Sequence, residues 1–292
     1  MMNKLMAIDP IAIKLGPVEV AWYGIIIVIG MMLAIFLTIK EAEKRGVSED
    51  FIIDTAFWAI PIGILGARLY YVLFELDVYL SNPIRIFYIW EGGLAIYGGI
   101  IAGFLTFYYR SKKENIPLLL LTDITIPYLL LAQGIGRWGN FVNQEAHGGE
   151  VSRQFLEGLM LPEFIIEGMN IGGTYYHPTF LYESVWSLIG VAVILVIRNR
   201  EKFLLRGETT ASYFIWYGIG RLFIEGMRTD SLYMGPFRVS QIGSGILILI
   251  GIGIIAYQRL YKFPKPPYYT EGITPEIEFA KKKEAYDKRN KK

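Results

Sequence analysis

Seven long apolar windows constrain this chain more than any single motif does, because each reads as a helix that crosses a membrane. They fall at roughly 18–39, 51–74, 94–109, 117–136, 179–197, 209–227 and 239–257, to be set against a hydrocarbon core of about 30 Å. Glycines and prolines interrupt the third and fourth. Composition agrees: 53% of the 292 residues are hydrophobic and 19% are charged, with a mean hydropathy of +0.37, whereas soluble domains carry about 25% charged residues. The first window starts late, lacks a compact basic segment before it and runs on too long for a cleavable signal peptide, so it is expected to stay in the membrane. The predicted fold class is an all-α polytopic membrane protein with seven transmembrane helices.

Lysines and arginines fix the expected orientation. If the helices alternate, 20 of the 29 basic residues fall on one side: Lys40, Lys44 and Arg45; Arg110, Lys112 and Lys113; Arg198, Arg200, Lys202 and Arg206; and ten in the tail from Arg259. Positive loops lie on the cytoplasmic side, so the N-terminus is expected outside and the C-terminus in the cytoplasm. These charges anchor topology, and the net charge of +2 gives no reason to invoke nucleic acid. Residues 1–262 are expected to form the membrane domain. Within it, a polar, glycine-containing insert at about 139–176 is too long for a tight turn and reads as a small extracytoplasmic head. The outside loop from Glu75 to about Gly93 carries Phe87, Tyr88 and Trp90, as an interfacial aromatic belt does. The tail, 263–292, with its prolines and Lys/Glu-rich end, reads as a solvated and dispensable cytoplasmic extension. No internal repeat is visible, which argues against inverted-repeat transporters.

Cysteine is absent, which excludes disulfides, thiolate metal sites and a cysteine nucleophile from the chain itself. The two histidines, His147 and His177, are too few for a multi-histidine metal site. Any thiol chemistry must use a thiol brought by a substrate. No metal or organic cofactor is expected.

Ionisable residues within or beside the apolar windows carry the functional signal, because a charge at mid-bilayer costs about 2.5–3.5 kcal/mol. The string Gly136-Arg137-Trp138-Gly139-Asn140-Phe141-Val142-Asn143-Gln144-Glu145 follows the fourth window and places Arg137 at its outer end. In the sixth, Tyr217, Arg221, Glu225 and Arg228 project within about 80° of one another and form one polar stripe. A structural Arg221–Glu225 ion pair accounts for part of it but leaves Tyr217 and Arg228 unexplained. Arg68, in the second window, is a further intramembrane cation. Several guanidiniums converging from different helices suit a multi-oxygen anion such as phosphate, and in a bilayer the abundant phosphate is a lipid headgroup. Tyr23, beside Trp22, reads either as a belt residue or as part of a site. The stretch Gly92-Gly93-Leu94-Ala95-Ile96-Tyr97-Gly98-Gly99 reads either as close helix packing or as backbone shaped around a ligand. His177, before Pro178, reads most simply as a cap or hydrogen-bond partner.

Together these strings resemble the bacterial prolipoprotein diacylglyceryl transferases. The Gly136–Glu145 string with Gly148, Trp22-Tyr23, Gly92–Gly99, His177-Pro178 with Tyr182-Glu183, and Tyr217-Gly218-Ile219-Gly220-Arg221 through Glu225 and Arg228 match that family's segments in order. The resemblance covers nearly the whole chain except the tail. It implies a seven-helix enzyme of the bacterial inner membrane with its site toward the outer face. Such enzymes move the diacylglyceryl group of phosphatidylglycerol onto the lipobox cysteine of preprolipoproteins, forming a thioether and releasing glycerol phosphate. Arg137 and Arg221 are then expected to clamp the phosphate, Glu225 to orient Arg221, and Asn140, Asn143 and Glu145 to position the headgroup and Arg137. Tyr23, Arg68, Gly148, His177, Tyr217 and Arg228 are expected to line the substrate site. Many members carry histidine where this chain has Tyr97, and that histidine has been given a role in activating the thiol. Tyrosine in water ionises near pH 10 and makes a poor base, so Tyr97 is expected to hydrogen-bond rather than to take the proton. Glu145, another carboxylate or the substrate phosphate are the other candidates for that task. Two rival classes remain: a transporter of an anionic solute, and a non-catalytic lipid-binding scaffold, which leaves Asn140, Asn143 and Glu145 without a task.

Overall fold

The computed structural model describes residues 9–16, 18–200, 203–260, 265–268, 272 and 274–290. Lys202 and Pro264 lie outside the described residues. Strands β1 (Ile11–Leu15) and β2 (Val18–Ala21) form an antiparallel hairpin before helices α1 (Trp22–Lys44) and α2 (Glu49–Phe74). The short helix α3 (Leu76–Ser81) and two 3-10 turns lead to α4 (Ile96–Lys113) and α5 (Leu118–Val142). A head follows, made of β3 (Glu150–Val151), α6 (Arg153–Gly158), α7 (Glu163–Gly168), β4 (Asn170–Ile171) and β5 (Thr174–Tyr176), its strands ordered β3-β5-β4. Then come α8 (Thr179–Arg198), α9 (Glu208–Glu225), the hairpin β6 (Tyr233–Met234) and β7 (Phe237–Arg238), α10 (Val239–Leu260) and the tail helix α11 (Thr274–Asn290).

Each apolar window thus contains one long helix, and five of the seven are long and apolar enough to cross a membrane. The other two each hold three charged residues: Arg110, Lys112 and Lys113 in α4, and Glu208, Arg221 and Glu225 in α9. Two window boundaries are corrected. Val18–Ala21 is a strand, so the first helix starts at Trp22. The fourth helix does not stop at Gly136 but runs to Val142, which puts Arg137 and Asn140 inside it and starts the head at about Asn143. Small sheets at the rim also qualify the all-helical expectation.

Glycine sets how closely the helices approach. Gly66 of α2 and Gly98 of α4 cross so tightly that a Cβ on either would collide with the other's backbone, as small residues permit in membranes. Between α8 and α9 the lock is aromatic. Trp186 and Trp216 stack at 4.5 Å, and each indole N–H donates to the other's carbonyl oxygen at 2.9 Å. Gly220 and Gly190 leave the space that these rings fill. The pairing fixes the rotation of α8 against α9 next to Glu183 and Arg221.

At the opposite end a second charged knot holds the bundle. Asp123 of α5 is fully buried and accepts from the backbone N–H groups of Gly207 and Thr210, capping the start of α9. Glu41 of α1 meets Arg45 and Arg198 at 2.9 and 3.4 Å. The tail is not simply solvated: Tyr268 is fully buried and donates its hydroxyl to Glu41 at 2.8 Å. Pro266 and Tyr268 also bond to the backbone of Arg206 and Leu204. An aromatic ring and paired backbone groups offset the cost of chain ordering there, which sequence polarity does not reveal.

Candidate active site

At the head end, three arginines share one carboxylate. Glu183, near the head end of α8, is 8% exposed. Its Oε2 lies 2.8 Å from Arg137 Nη2, and its Oε1 lies 3.0 Å from Arg221 Nη1 and 3.9 Å from Arg228 Nη1. Each arginine has a second anchor. Arg221 reaches buried Glu225, one turn along α9, at 2.5 Å. Arg228 makes a bidentate pair with Asp230 at 2.9 and 2.7 Å, which holds the Asp230 carboxyl below the usual carboxylate range. Arg137 Nη1 donates to Asn140 Oδ1 at 3.3 Å.

The extension of α5 explains that last contact: Arg137 and Asn140 are three residues apart on one helical face. Asn140 Nδ2 then donates to Glu145 Oε1 at 2.9 Å, and Asn143 Nδ2 reaches the same oxygen at 3.4 Å. The result is a relay from Glu183 through Arg137 and Asn140 to Glu145. Arg137 keeps its side chain 24% exposed, and its recorded contacts leave guanidinium N–H donors over. The arrangement can present oriented donors to an anion while carboxylates hold the arginines in place.

Two glycines let the walls close. A Cβ on Gly139 would stand 2.6 Å from the Tyr23 ring, so Tyr23 packs directly on the α5 backbone. A Cβ on Gly148 would stand 2.6 Å from His177 Cβ and 3.1 Å from the Met227 carbonyl oxygen. Gly148 donates its N–H to the His177 carbonyl at 3.0 Å and bridges to Arg228. His177 Nδ1 lies 3.2 Å from the Tyr182 hydroxyl, and burial lowers the imidazole pKa below its ordinary value, so the ring is neutral at neutral pH. Tyr217 stacks on Tyr213 at 5.6 Å along the polar face of α9.

Two expected site residues stand apart from this cluster. Arg68 is 5% exposed and donates to the carbonyl oxygens of Arg85, Ile86, Gly92 and Gly93. Its guanidinium organises the loop between α2 and α4 rather than meeting at Glu183. Tyr97 lies in the first turn of α4, 44% exposed. Among the described residues it has no recorded hydrogen bond to a carboxylate or imidazole.

A family model for prolipoprotein diacylglyceryl transferase matches residues 10–257. The chain belongs to the prolipoprotein diacylglyceryl transferase family. Relatives named phosphatidylglycerol--prolipoprotein diacylglyceryl transferase include one from Listeria innocua, 50% identical over 96% of this chain and 99% of its own. Another, from Lysinibacillus sphaericus, is 52% identical over 90% of this chain and 97% of its own. One from Lactobacillus acidophilus is 49% identical, covering 93% of this chain and 96% of its own.

Neither Glu183 nor Asp230 is among the site residues expected from the sequence. The signal for Glu183 was present: it is a carboxylate inside an apolar window, as costly there as Arg137, and it lies in one of the family-like strings. What the sequence could not give is that its partners come from α5, α9 and the segment after α9.

Proposed function

We propose that this member of the prolipoprotein diacylglyceryl transferase family moves the diacylglyceryl group of phosphatidylglycerol onto the lipobox cysteine thiol of a preprolipoprotein. The observation that carries this reading is the sharing of Glu183 by Arg137, Arg221 and Arg228. The substrate thiolate attacks the glycerol carbon bonded to phosphate. A carbon–sulfur bond forms, the carbon–oxygen bond breaks, and glycerol phosphate departs with the bonding pair. The phosphate begins as a singly charged diester and leaves as a doubly charged monoester. Donors already held in place therefore gain more in the transition state than in the ground state, which is the condition for catalysis. Arg137 and Arg221 clamp the phosphate, with Glu183 and Glu225 orienting them. Arg228 holds the rim through Gly148 and Asp230. Asn140, Asn143 and Glu145 position Arg137 and the headgroup, and Tyr23, His177 and Tyr217 form walls. Tyr97 hydrogen-bonds the incoming substrate rather than acting as base.

The seven long helices all cross the cytoplasmic membrane in this reading, with the head outside. Support comes from the tail-end network, which gathers Arg45, Arg198, Arg206 and Arg259 at the end opposite the head, as positive cytoplasmic loops require. Arg221 of α9 turns to Glu183 and to Glu225 on its own helix, and Glu208 pairs with Arg259 at the other end, so the charges of α9 meet partners in the protein rather than lipid.

Purified protein in vesicles is incubated with labelled phosphatidylglycerol and a lipobox peptide. A peptide mass gain of one diacylglyceryl unit, lost in Arg137→Ala and Arg221→Ala, is the expected result. Full transfer by both variants sinks the clamp, and solute uptake without any peptide mass gain favours a transporter.

A further inference from the structure

The head carries an apolar knob that the transfer reaction does not use. Phe155, Leu159, Met160 and Phe164, on α6, α7 and the turn between them, are exposed, with Met160 at 90%. Their neighbours Leu156, Ile165 and Ile166 are buried in the head's own core, so the head is apolar on two sides. Soluble surfaces seldom keep such a cluster in water. Met160 also sits at φ +54°, a backbone conformation that a bulky residue adopts only with strain and that glycine would relieve. A long apolar side chain stands there instead, at the tip.

Two ring contacts fix the height of this knob. Phe155 lies edge-on to His177 at 4.9 Å, two residues before α8 begins. Phe164 lies 6.5 Å from Phe141, in the last turn of α5. Both α5 and α8 are long and apolar enough to span a membrane, so the knob is held level with the ends of two spans. Arg153 meanwhile takes up the carboxylates on these helices, with Glu157 at 2.7 Å, Glu163 at 2.6 Å and Glu167 also paired. That pairing offsets part of the charge cost of approaching lipid, with one cation set against three carboxylates.

We propose that the α6–α7 turn is an interfacial anchor, seated in the head-side leaflet with Leu159 and Met160 among the upper acyl chains, roughly 5–10 Å below the headgroup boundary. The occupant is lipid rather than polypeptide because the exposed side chains are tied by ring contacts to the ends of two apolar spans. Anchoring there holds the head close over the Glu183 cluster while lipid and peptide exchange.

The absence of cysteine makes the test direct, since Met160→Cys and Leu159→Cys each give one labelling position. Each variant, confirmed to be folded and active, is labelled with an environment-sensitive fluorophore in phosphatidylcholine–phosphatidylglycerol vesicles. Nitroxides on shallow acyl carbons are expected to quench both labels several-fold more than a label at Glu150→Cys, on exposed β3, and aqueous iodide several-fold less. Equal iodide quenching at Met160→Cys and Glu150→Cys overturns the anchor. So does a label that ignores lipid nitroxides but is shielded by added lipobox peptide, which makes the knob a peptide-docking surface.

Discussion

Glu183 and Glu41 are both carboxylates set in apolar helices and faced by arginines, yet they are enclosed very differently. At the tail end, Glu41 is 3% and Arg198 is 1% exposed, and the Tyr268 ring lies over Arg45 at 4.4 Å and over Arg198 at 5.0 Å. At the head end the hub carboxylate is buried, but Arg137 keeps an exposed edge with donors to offer. A sealed network fixes helices in place; an open one can also receive a ligand. The two lie at opposite ends of the same helices, α1, α5, α8 and α9, so perturbing each in turn separates stability from chemistry.

The largest effect is expected at the sealed end. Arg198→Ala leaves Glu41 short of a buried partner and removes a donor to the Asp123 carbonyl. Breaking a buried pair from one side costs about 3–5 kcal/mol, which thermal unfolding in detergent should show while transfer per folded molecule stays unchanged. Arg137→Ala should behave in the opposite way. Losing one preorganised donor costs about 10²–10³-fold in rate, or about 2.7–4 kcal/mol at the transition state. The melting temperature should move less than for Arg198→Ala, because Arg137 is 24% exposed and water can replace it at Glu183, whereas Arg198 is 1% exposed. Arg137→Lys should restore little activity, since a point charge cannot reproduce a bidentate guanidinium. If Arg137→Ala unfolded the protein and spared its rate, the two ends would not differ in kind.

Tyr268→Phe is the next smaller step. It keeps the ring over both guanidiniums but deprives buried Glu41 of a donor, a change worth about 1–3 kcal/mol. Deleting the chain from 263 onward should destabilise more than this single hydroxyl does. If both left the unfolding transition unmoved, the tail would be the dispensable extension that its composition indicates.

Much of the fold is legible in the apolar windows, each of which holds one long helix, five of them long and apolar enough to cross a membrane, because a bilayer imposes length and apolarity on each span separately. What the sequence conceals are places where a polar group is stabilised by a partner far along the chain. Counting apolar residues stops the fourth helix at Gly136, although Arg137 and Asn140 continue it because Glu183 and Glu145 await them. Tyr268 looks solvated among prolines and lysines because Glu41, Arg45 and Arg198 are more than 60 positions away in sequence. Arg68 and Arg137 look alike as intramembrane cations, and only the structure shows that one donates to the carbonyls of the loop at 85–93 while the other meets Glu183. The Arg221–Glu225 spacing was readable because its two members share one helix.

The smallest expected effect uses pH to address His177. Both histidines of the chain lie at the head end, at His147 and His177. Burial holds the His177 imidazole below its ordinary pKa in the folded protein. Between that lowered value and about 6.5, the usual histidine value, the unfolded chain therefore binds more protons than the folded one, and stability must fall as pH falls. The contribution is fully present above about pH 6.5 and is lost on acidification through the folded value. His177→Gln should flatten this slope in unfolding measurements. Tyr268→Phe should lower the whole curve without changing the part of the slope that His177 contributes, because Tyr268 bonds to Glu41 and makes no contact with His177. A slope that survives His177→Gln would assign the acid sensitivity to another group and remove pH as a probe specific to the head.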